Sequence, residues 1–259
     1  MELFALSEKP PKLCTVHCAL CTSERTIMRL DKFLSETKTL TRSEASKAVK
    51  RGEVTVNGAV ATKTNMSVET TDSIAVRGRV IEYSEFRYIM LNKPEGYVSA
   101  TDDKSAPYVT QLLSEELQKF DLFPVGRLDK YTVGLMILTD DGKLAHNLLS
   151  PKHHAEKVYR FRCEKPIERT DELEAGIHIE GGYLTKPCKV KVLSEYEAEI
   201  TLTEGKYHQI KQMLGAVGNK VVYLERIRFA DIPLDPSLER GEWRMLTADE
   251  IKTLRSQNK

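Results

Sequence analysis

The amino-acid sequence predicts an α+β protein, with a mixed, largely antiparallel sheet domain preceded by a small α/β module. Three observations carry that expectation. Helix-like and strand-like segments are interspersed without regular βαβ repeats, which disfavours a doubly wound sheet. The apolar run Leu135 to Leu138 stops at the turn-forming residues Thr139-Asp140-Asp141-Gly142, as a buried strand does. Lys157 to Cys163, Lys189 to Leu193 and Ala198 to Thr203 alternate apolar and polar residues, the period of a sheet strand.

The chain has 259 residues, 41% hydrophobic and 30% charged, the composition of a folded chain of one or two domains. No apolar run approaches the ~20 residues of a membrane-spanning helix, so no membrane partner is expected. Formal net charge is only +1, and a polyanionic partner would have to be met by local basic patches. Five cysteines, odd in number and unevenly spread, do not form a disulfide framework and point to a reducing cytoplasm.

Taken in order, residues 1–27 lack periodicity, and Lys9-Pro10-Pro11-Lys12 breaks helix and strand alike. They are expected to be a disordered extension upstream of a natural start at Met28. Cys14, His17, Cys18 and Cys21 cluster like half of a zinc site, but no second pair follows at a finger-like spacing. No secretory signal pattern is present.

A compact unit is expected over residues 28–83. Leu30, Phe33 and Leu34 lie at helical spacing, and Thr41-Arg42-Ser43-Glu44 opens a second helix with a capping-box pattern. That helix stops at Gly52. Val54-Thr55-Val56 then reads as a strand entering an Asn57-Gly58 turn. Between Lys38 and Arg51, Lys38, Arg42, Lys47, Lys50 and Arg51 stand against Glu44 alone, a basic stretch that by itself is often only a solvated face.

The second domain is expected over 84–259, after a linker near Glu82 to Arg87. Tyr88 to Leu91 reads as a strand ending in a turn over Asn92 to Gly96. Extended structure resumes at Tyr97-Val98-Ser99, and a helix is expected around Gln111 to Phe120. Next comes Phe123-Pro124-Val125-Gly126-Arg127-Leu128-Asp129, which sets a carboxylate on a glycine turn just before the Leu135 strand. A helix follows Gly142, with Leu144, Ala145, Leu148 and Leu149 at helical spacing, and ends at Ser150-Pro151. Lys157, Tyr159 and Phe161 share one face of their strand, and Ile210, Met213 and Leu214 share one face of a later helix. The adjacent His153 and His154 would point opposite ways in an extended segment, which argues against a shared metal ion. Val221 to Leu224 reads as a strand followed by Arg226 and Arg228, and Thr247 to Glu250 caps a terminal helix.

There is no nucleophile elbow, P-loop or dinucleotide fingerprint. One carboxylate on a rigid turn, one aromatic on a strand and one lysine on a glycine-led helix are left. They suffice for making and breaking one bond on a flipped base. The aromatic stacks, the carboxylate attacks or takes a proton, and a cation keeps that carboxylate ionised as the site desolvates.

Four ordered stretches carry a family resemblance: Tyr88 to Ser99, Gly126-Arg127-Leu128-Asp129, Glu156-Lys157-Val158-Tyr159 and Glu204-Gly205-Lys206-Tyr207-His208-Gln209-Ile210-Lys211. Together they resemble the motifs of the RsuA-type pseudouridine synthases, while residues 28–81 resemble the RNA-binding module named after ribosomal protein S4. The resemblance implies that Asp129 is catalytic, that Tyr159 packs on the target base and aids the last proton removal, and that Lys211 pairs with Asp129. It implies nucleotide contacts from Arg127, Lys157 and Gln209, and phosphate contacts from Arg42, Lys47, Lys50 and Arg51. In such enzymes the base–sugar bond breaks, the uracil turns and the bond re-forms through carbon, with no cofactor or metal. Extracting a base costs a few kcal/mol, which stacking at ~1–3 kcal/mol offsets together with phosphate contacts.

Ser150 to Lys157, Leu184-Thr185-Lys186-Pro187 and Glu204 to Gln209 are most similar to the branch acting on 16S ribosomal RNA. The expected partner is therefore 16S rRNA in a small-subunit assembly intermediate, bound by a monomer. The same reaction on 23S rRNA, or a non-catalytic ribosome-assembly factor, are the alternatives. Two departures stand out. Val133 replaces a small hydroxyl residue, an expected packing change, and Ala230-Asp231 replaces a glycine, which puts RNA contacts there in question.

Overall fold

The structure, a computed structural model, describes residues 25–150 and 155–256. The cysteine cluster at 14–21 and the histidine pair at 153–154 lie outside them.

The N-terminal unit starts slightly before Met28. Strand β1 (Ile27–Arg29) leads directly into helix α1 (Leu30–Glu36), and α2 (Arg42–Lys50) follows. The capping box is formed: Glu44 N–H donates to the Thr41 hydroxyl, and Thr41 N–H donates to the Glu44 carboxylate at 2.8 Å. Next come β2 (Val54–Val56), β3 (Ala59–Val60), β4 (Ser67–Glu69), β5 (Ile74–Val76) and β6 (Arg79–Ile81). Asn57 and Gly58 both have positive φ, as the hairpin between β2 and β3 requires. β1 pairs with β4, and β3-β2-β5-β6 form an antiparallel sheet. Leu30, Phe33 and Leu34 of α1 pack with Ala45, Ala48 and Val49 of α2 over Val54 and Ile74. This buried cluster draws its members from residues 28 to 76, with Tyr83 packed at its edge.

The rest of the chain builds a nine-stranded sheet and a separate two-stranded one. Its elements in order are β7 (Tyr88–Lys93), a 3-10 turn (Val109–Leu112), α3 (Glu115–Gln118), β8 (Phe123–Pro124), β9 (Val133–Thr139), α4 (Gly142–Leu149), β10 (Lys157–Cys163) and α5 (Thr170–Ala175). They continue with β11 (His178–Ile179), β12 (Tyr183–Leu184), β13 (Lys189–Ser194), β14 (Glu197–Leu202), α6 (Gln209–Ala216), β15 (Val221–Phe229), β16 (Ile232–Pro233), β17 (Trp243–Met245) and α7 (Ala248–Ser256). Strand order in the larger sheet is β13-β14-β10-β15-β9-β7-β17, with β8 beside β9 and β16 beside β15. The β9–β15 pair is parallel and the other pairs of this sheet are antiparallel.

The unbroken apolar runs of β7 and β9 follow from burial on both faces. Tyr88, Met90, Leu135 and Ile137 pack with Leu144 and Leu148 of α4 and Leu254 of α7 on one side. Ile89, Leu91, Met136 and Leu138 pack with Val109, Leu113, Leu122 and Leu128 on the other. A third cluster sets Ile210, Met213 and Leu214 of α6 against Phe161, Ile200 and Leu224.

Three expectations change, the first being that β15 runs on to Phe229, so Arg226 and Arg228 lie within the strand rather than after it. The helix around Gln111 to Phe120 is two short pieces, because Leu113 and Ser114 are both extended between them. The turn expected over Asn92 to Gly96 begins later: Asn92 and Lys93 are the buried end of β7. Both departures at the family motifs have a local account. Val133 is buried at the β9–β15 pairing. Ala230 adopts φ +50 in the tight β15–β16 turn, a conformation that favours glycine, and Asp231 lies 3.8 Å from Arg228.

Candidate active site

Asp129 is held by its own backbone rather than by its side chain alone. The Ser99 hydroxyl donates to the Leu128 carbonyl at 2.6 Å and accepts from Leu128 N–H at 2.9 Å, fixing the residue just before Asp129 from both sides. Thr132 N–H donates to the Asp129 carbonyl, closing the turn into β9. The Lys93 ammonium, fully buried, donates to the carbonyls of Pro94, Lys130 and Thr132. It thus gathers the loop that follows the aspartate. Burial lowers the Lys93 pKa to about 8, aided by Arg226 and opposed by Asp129 and Glu95.

The Asp129 carboxylate faces the first turn of α6. Lys211 Nζ donates to Oδ2 at 3.1 Å, and His208 Nε2 stands 3.5 Å from the same oxygen. A helix N-terminus favours a carboxylate there. His208, the residue preceding α6, has φ +49, an uncommon conformation that for histidine is tolerated and often functional. Its ring stacks on Tyr207 with centroids 3.8 Å apart.

Gln209 is 4% exposed, and its amide is committed within the loop: it donates to Glu204 Oε1 at 2.8 Å and accepts from Lys206 N–H. Glu204 also accepts from the Tyr183 hydroxyl and Lys186 N–H. In the structure, then, Gln209 shapes the segment 204–209 that presents Lys211, rather than offering its amide to a ligand.

Asp129, Arg127, Lys157, Tyr159, Gln209 and Lys211 line one cleft of about 910 Å³. Tyr159 is half-buried on β10, directly across from Arg226 on β15, at a bulge between the two strands. Lys157 is half-buried, and its ammonium donates to the Ala155 carbonyl. Burial and the neighbouring Arg226 lower its pKa to about 8, with Glu204 opposing. The lining includes Arg127, Lys130, Lys157, Lys186, Lys206, Lys211 and Arg226 against Asp103, Asp129 and Glu204, a cationic cleft suited to a polyanion. Arg42, Lys47, Lys50 and Arg51 are exposed on and just after α2, and none of them lines this cleft.

Sequence reasoning missed Ser99, Lys93 and Arg226. Neither Lys93 nor Arg226 had a local signal: Lys93 follows Asn92 at the end of the first strand of this domain, and Arg226 lies mid-strand between Glu225 and Ile227. Among the described residues, no group of three or more His, Cys, Asp or Glu could hold a metal ion, and no helix is long and apolar enough to cross a membrane.

Residues 87–216 match the family model described as RNA pseudouridylate synthase, and residues 28–74 match the S4 domain. The chain is 45% identical over 234 residues to the uncharacterized RNA pseudouridine synthase YtzG of Bacillus subtilis, covering 88% of this chain and 98% of that protein. It is 42% identical over 231 residues to ribosomal small subunit pseudouridine synthase A of Haemophilus influenzae, covering 88% and 99%. A crystal structure of a pseudouridylate synthase superposes with TM-score 0.62 at 41% identity, over 88% of this chain and 99% of that one.

Proposed function

The chain belongs to the RNA pseudouridylate synthase family, and on that premise we propose that it converts one uridine of 16S ribosomal RNA to pseudouridine. Residues 28–83 act as the RNA-binding unit and 84–259 as the catalytic domain. The target nucleotide flips into the cleft, where Asp129 acts on it and Tyr159 stacks on the base. The uracil detaches from the sugar, turns and rejoins through carbon, and Tyr159 aids removal of the proton displaced there. Lys211 balances the Asp129 charge when the cleft closes over the base and sheds water. Arg127 and Lys157 contact the nucleotide, and Gln209 holds the loop that carries Lys211. The enzyme works as a cytoplasmic monomer on a small-subunit assembly intermediate.

One observation carries this reading: a carboxylate held 3.1 Å from an ammonium on the wall of a cationic cleft, beside a half-buried tyrosine. A non-catalytic assembly factor has no need of that pair. The choice of 16S over 23S rRNA rests on relatives named for the small subunit. The test is pseudouridine mapping of both rRNAs in a strain lacking the gene. Loss of one 16S site, restored by the wild-type chain and not by Asp129→Asn, is expected. Loss of a 23S site would move the substrate to the large subunit, and loss of neither would reject the proposal.

A further inference from the structure

We propose that Arg226 and Lys157 form a phosphate site in the cleft that holds the backbone phosphate of the flipped-out uridine. This rests on the pseudouridylation reading and names the part of the nucleotide taken by one corner of its cleft.

Arg226 is 1% exposed, yet its guanidinium meets no carboxylate among the described residues. Its Nε donates to the Leu135 carbonyl at 2.7 Å, and its Nη2 has no partner among the described residues. Two partly buried guanidiniums are treated differently. Arg87 pairs with Asp140 at 2.8 Å, and Arg244 bonds both Asp235 and Glu250. Even the carboxylate next to Arg226 in sequence, Glu225, is committed to Arg240 at 2.7 Å. A buried cation without a counter-charge is costly and is kept where a ligand supplies that charge.

The surroundings fit an anion. Lys157 and Arg226 both approach the ring of Phe229, at 5.8 and 5.2 Å, so two cations share one apolar backing. Among the described residues, the Lys157 ammonium has one acceptor, the Ala155 carbonyl. The carboxylates facing this corner are committed elsewhere: Asp129 to Lys211, and Glu204 to Gln209, Tyr183 and Lys186. Gly126 forms the adjoining wall. A Cβ there would stand 3.9 Å from Arg226 Nη1 and 3.2 Å from Leu149, so glycine keeps the approach to the guanidinium open.

The choice of phosphate over a uracil carbonyl is electrostatic. Arg226 repels Lys157 and helps lower its pKa. A carbonyl would accept hydrogen bonds and leave that repulsion in place, whereas a phosphate relieves both.

The test is equilibrium binding of uridine, uridine 5′-monophosphate and uridine 3′-monophosphate to the full-length protein. One monophosphate is expected to bind at least about tenfold tighter than uridine, from one charged hydrogen-bonding group. That advantage should fall below about twofold in Arg226→Gln and be partly kept in Arg226→Lys. If Arg226→Gln fails to fold by circular dichroism, Lys157→Gln reads the same difference. A wild type that gains nothing from either phosphate, or a folded variant that keeps the whole advantage, overturns the proposal. Unchanged pseudouridine in both rRNAs of a strain lacking the gene would instead overturn the parent reading and leave the phosphate increment standing.

Discussion

Lys211 and Asp129 lie 82 positions apart and meet with 3.1 Å between Nζ and Oδ2. Each is fixed by a separate device: the aspartate by Ser99 and Lys93 acting on the backbone just before and after it, the lysine by a helix whose inner face is Ile210, Met213 and Leu214. The pair is about one-third open to solvent, so the carboxylate can be reached from the cleft.

Asp129→Asn is expected to abolish pseudouridine formation while leaving RNA affinity near wild type, measured by product assay and filter binding. Lys211→Met should lower kcat by roughly 10-fold to 100-fold, the value of one charge-assisted hydrogen bond of ~1.5–3 kcal/mol. Lys211→Arg should recover part of it. Product at wild-type rate from Asp129→Asn removes the aspartate from the mechanism.

Ser99→Ala leaves a Leu128 carbonyl and N–H without their partner. The expected loss is ~1–3 kcal/mol of local order, read as a fall in kcat with KM little changed. A purely structural role would lower Tm without changing kcat of the folded fraction.

Lys157 should lose its charge near pH 8 rather than near the ordinary lysine value of 10.5, since burial and Arg226 disfavour its protonated form. RNA affinity or kcat/KM is expected to decline as pH rises through 8, because the cation is present below that value and absent above it. Lys157→Arg, charged throughout, should flatten the decline. A decline unchanged in Lys157→Arg assigns it to another group, and Lys93, also lowered to about 8, is then the residue to substitute.

Arg42, Lys47, Lys50 and Arg51 are exposed and close together in sequence. Replacing all four by Gln should reduce the slope of log affinity against log salt by about 3, at ~0.7–0.9 for each phosphate no longer neutralised. An unchanged slope would remove this face from the RNA interface.

Much of this architecture was legible in the chain. β7 and β9 announce themselves as apolar runs because both faces are covered, and Thr41 and Glu44 mark α2 because capping is local chemistry. The Asp129–Lys211 meeting became visible only through a resemblance of ordered motifs, since no local rule joins residues so far apart. Lys93 and Arg226 were illegible for a related reason. A cation inside a strand reads as solvent-facing until carbonyls from elsewhere are known to surround it, here Lys130 and Thr132 for one and Leu135 for the other. The broken helix near Leu113 was missed because apolar spacing does not show where the backbone straightens.

The parallel contact between β9 and β15 is only two register pairs long, Glu225 with Val133 and Arg226 with Gly134. Gly134, at φ +98, sits so close that a Cβ would overlap the Arg226 carbonyl oxygen. Asp129 is delivered from the β9 side of this short suture; Tyr159, Arg226 and Lys211 come from the other. Beyond this pairing the two sides share the Arg226–Leu135 hydrogen bond and the packing of Phe229 and Ile232 against Leu135 and Ile137. Parting them is expected to separate Asp129 from Tyr159, Arg226 and Lys211 before the hairpins on either side are lost. Activity should vanish before secondary structure does on heating, and Gly134→Ala should bring that point down sharply in temperature.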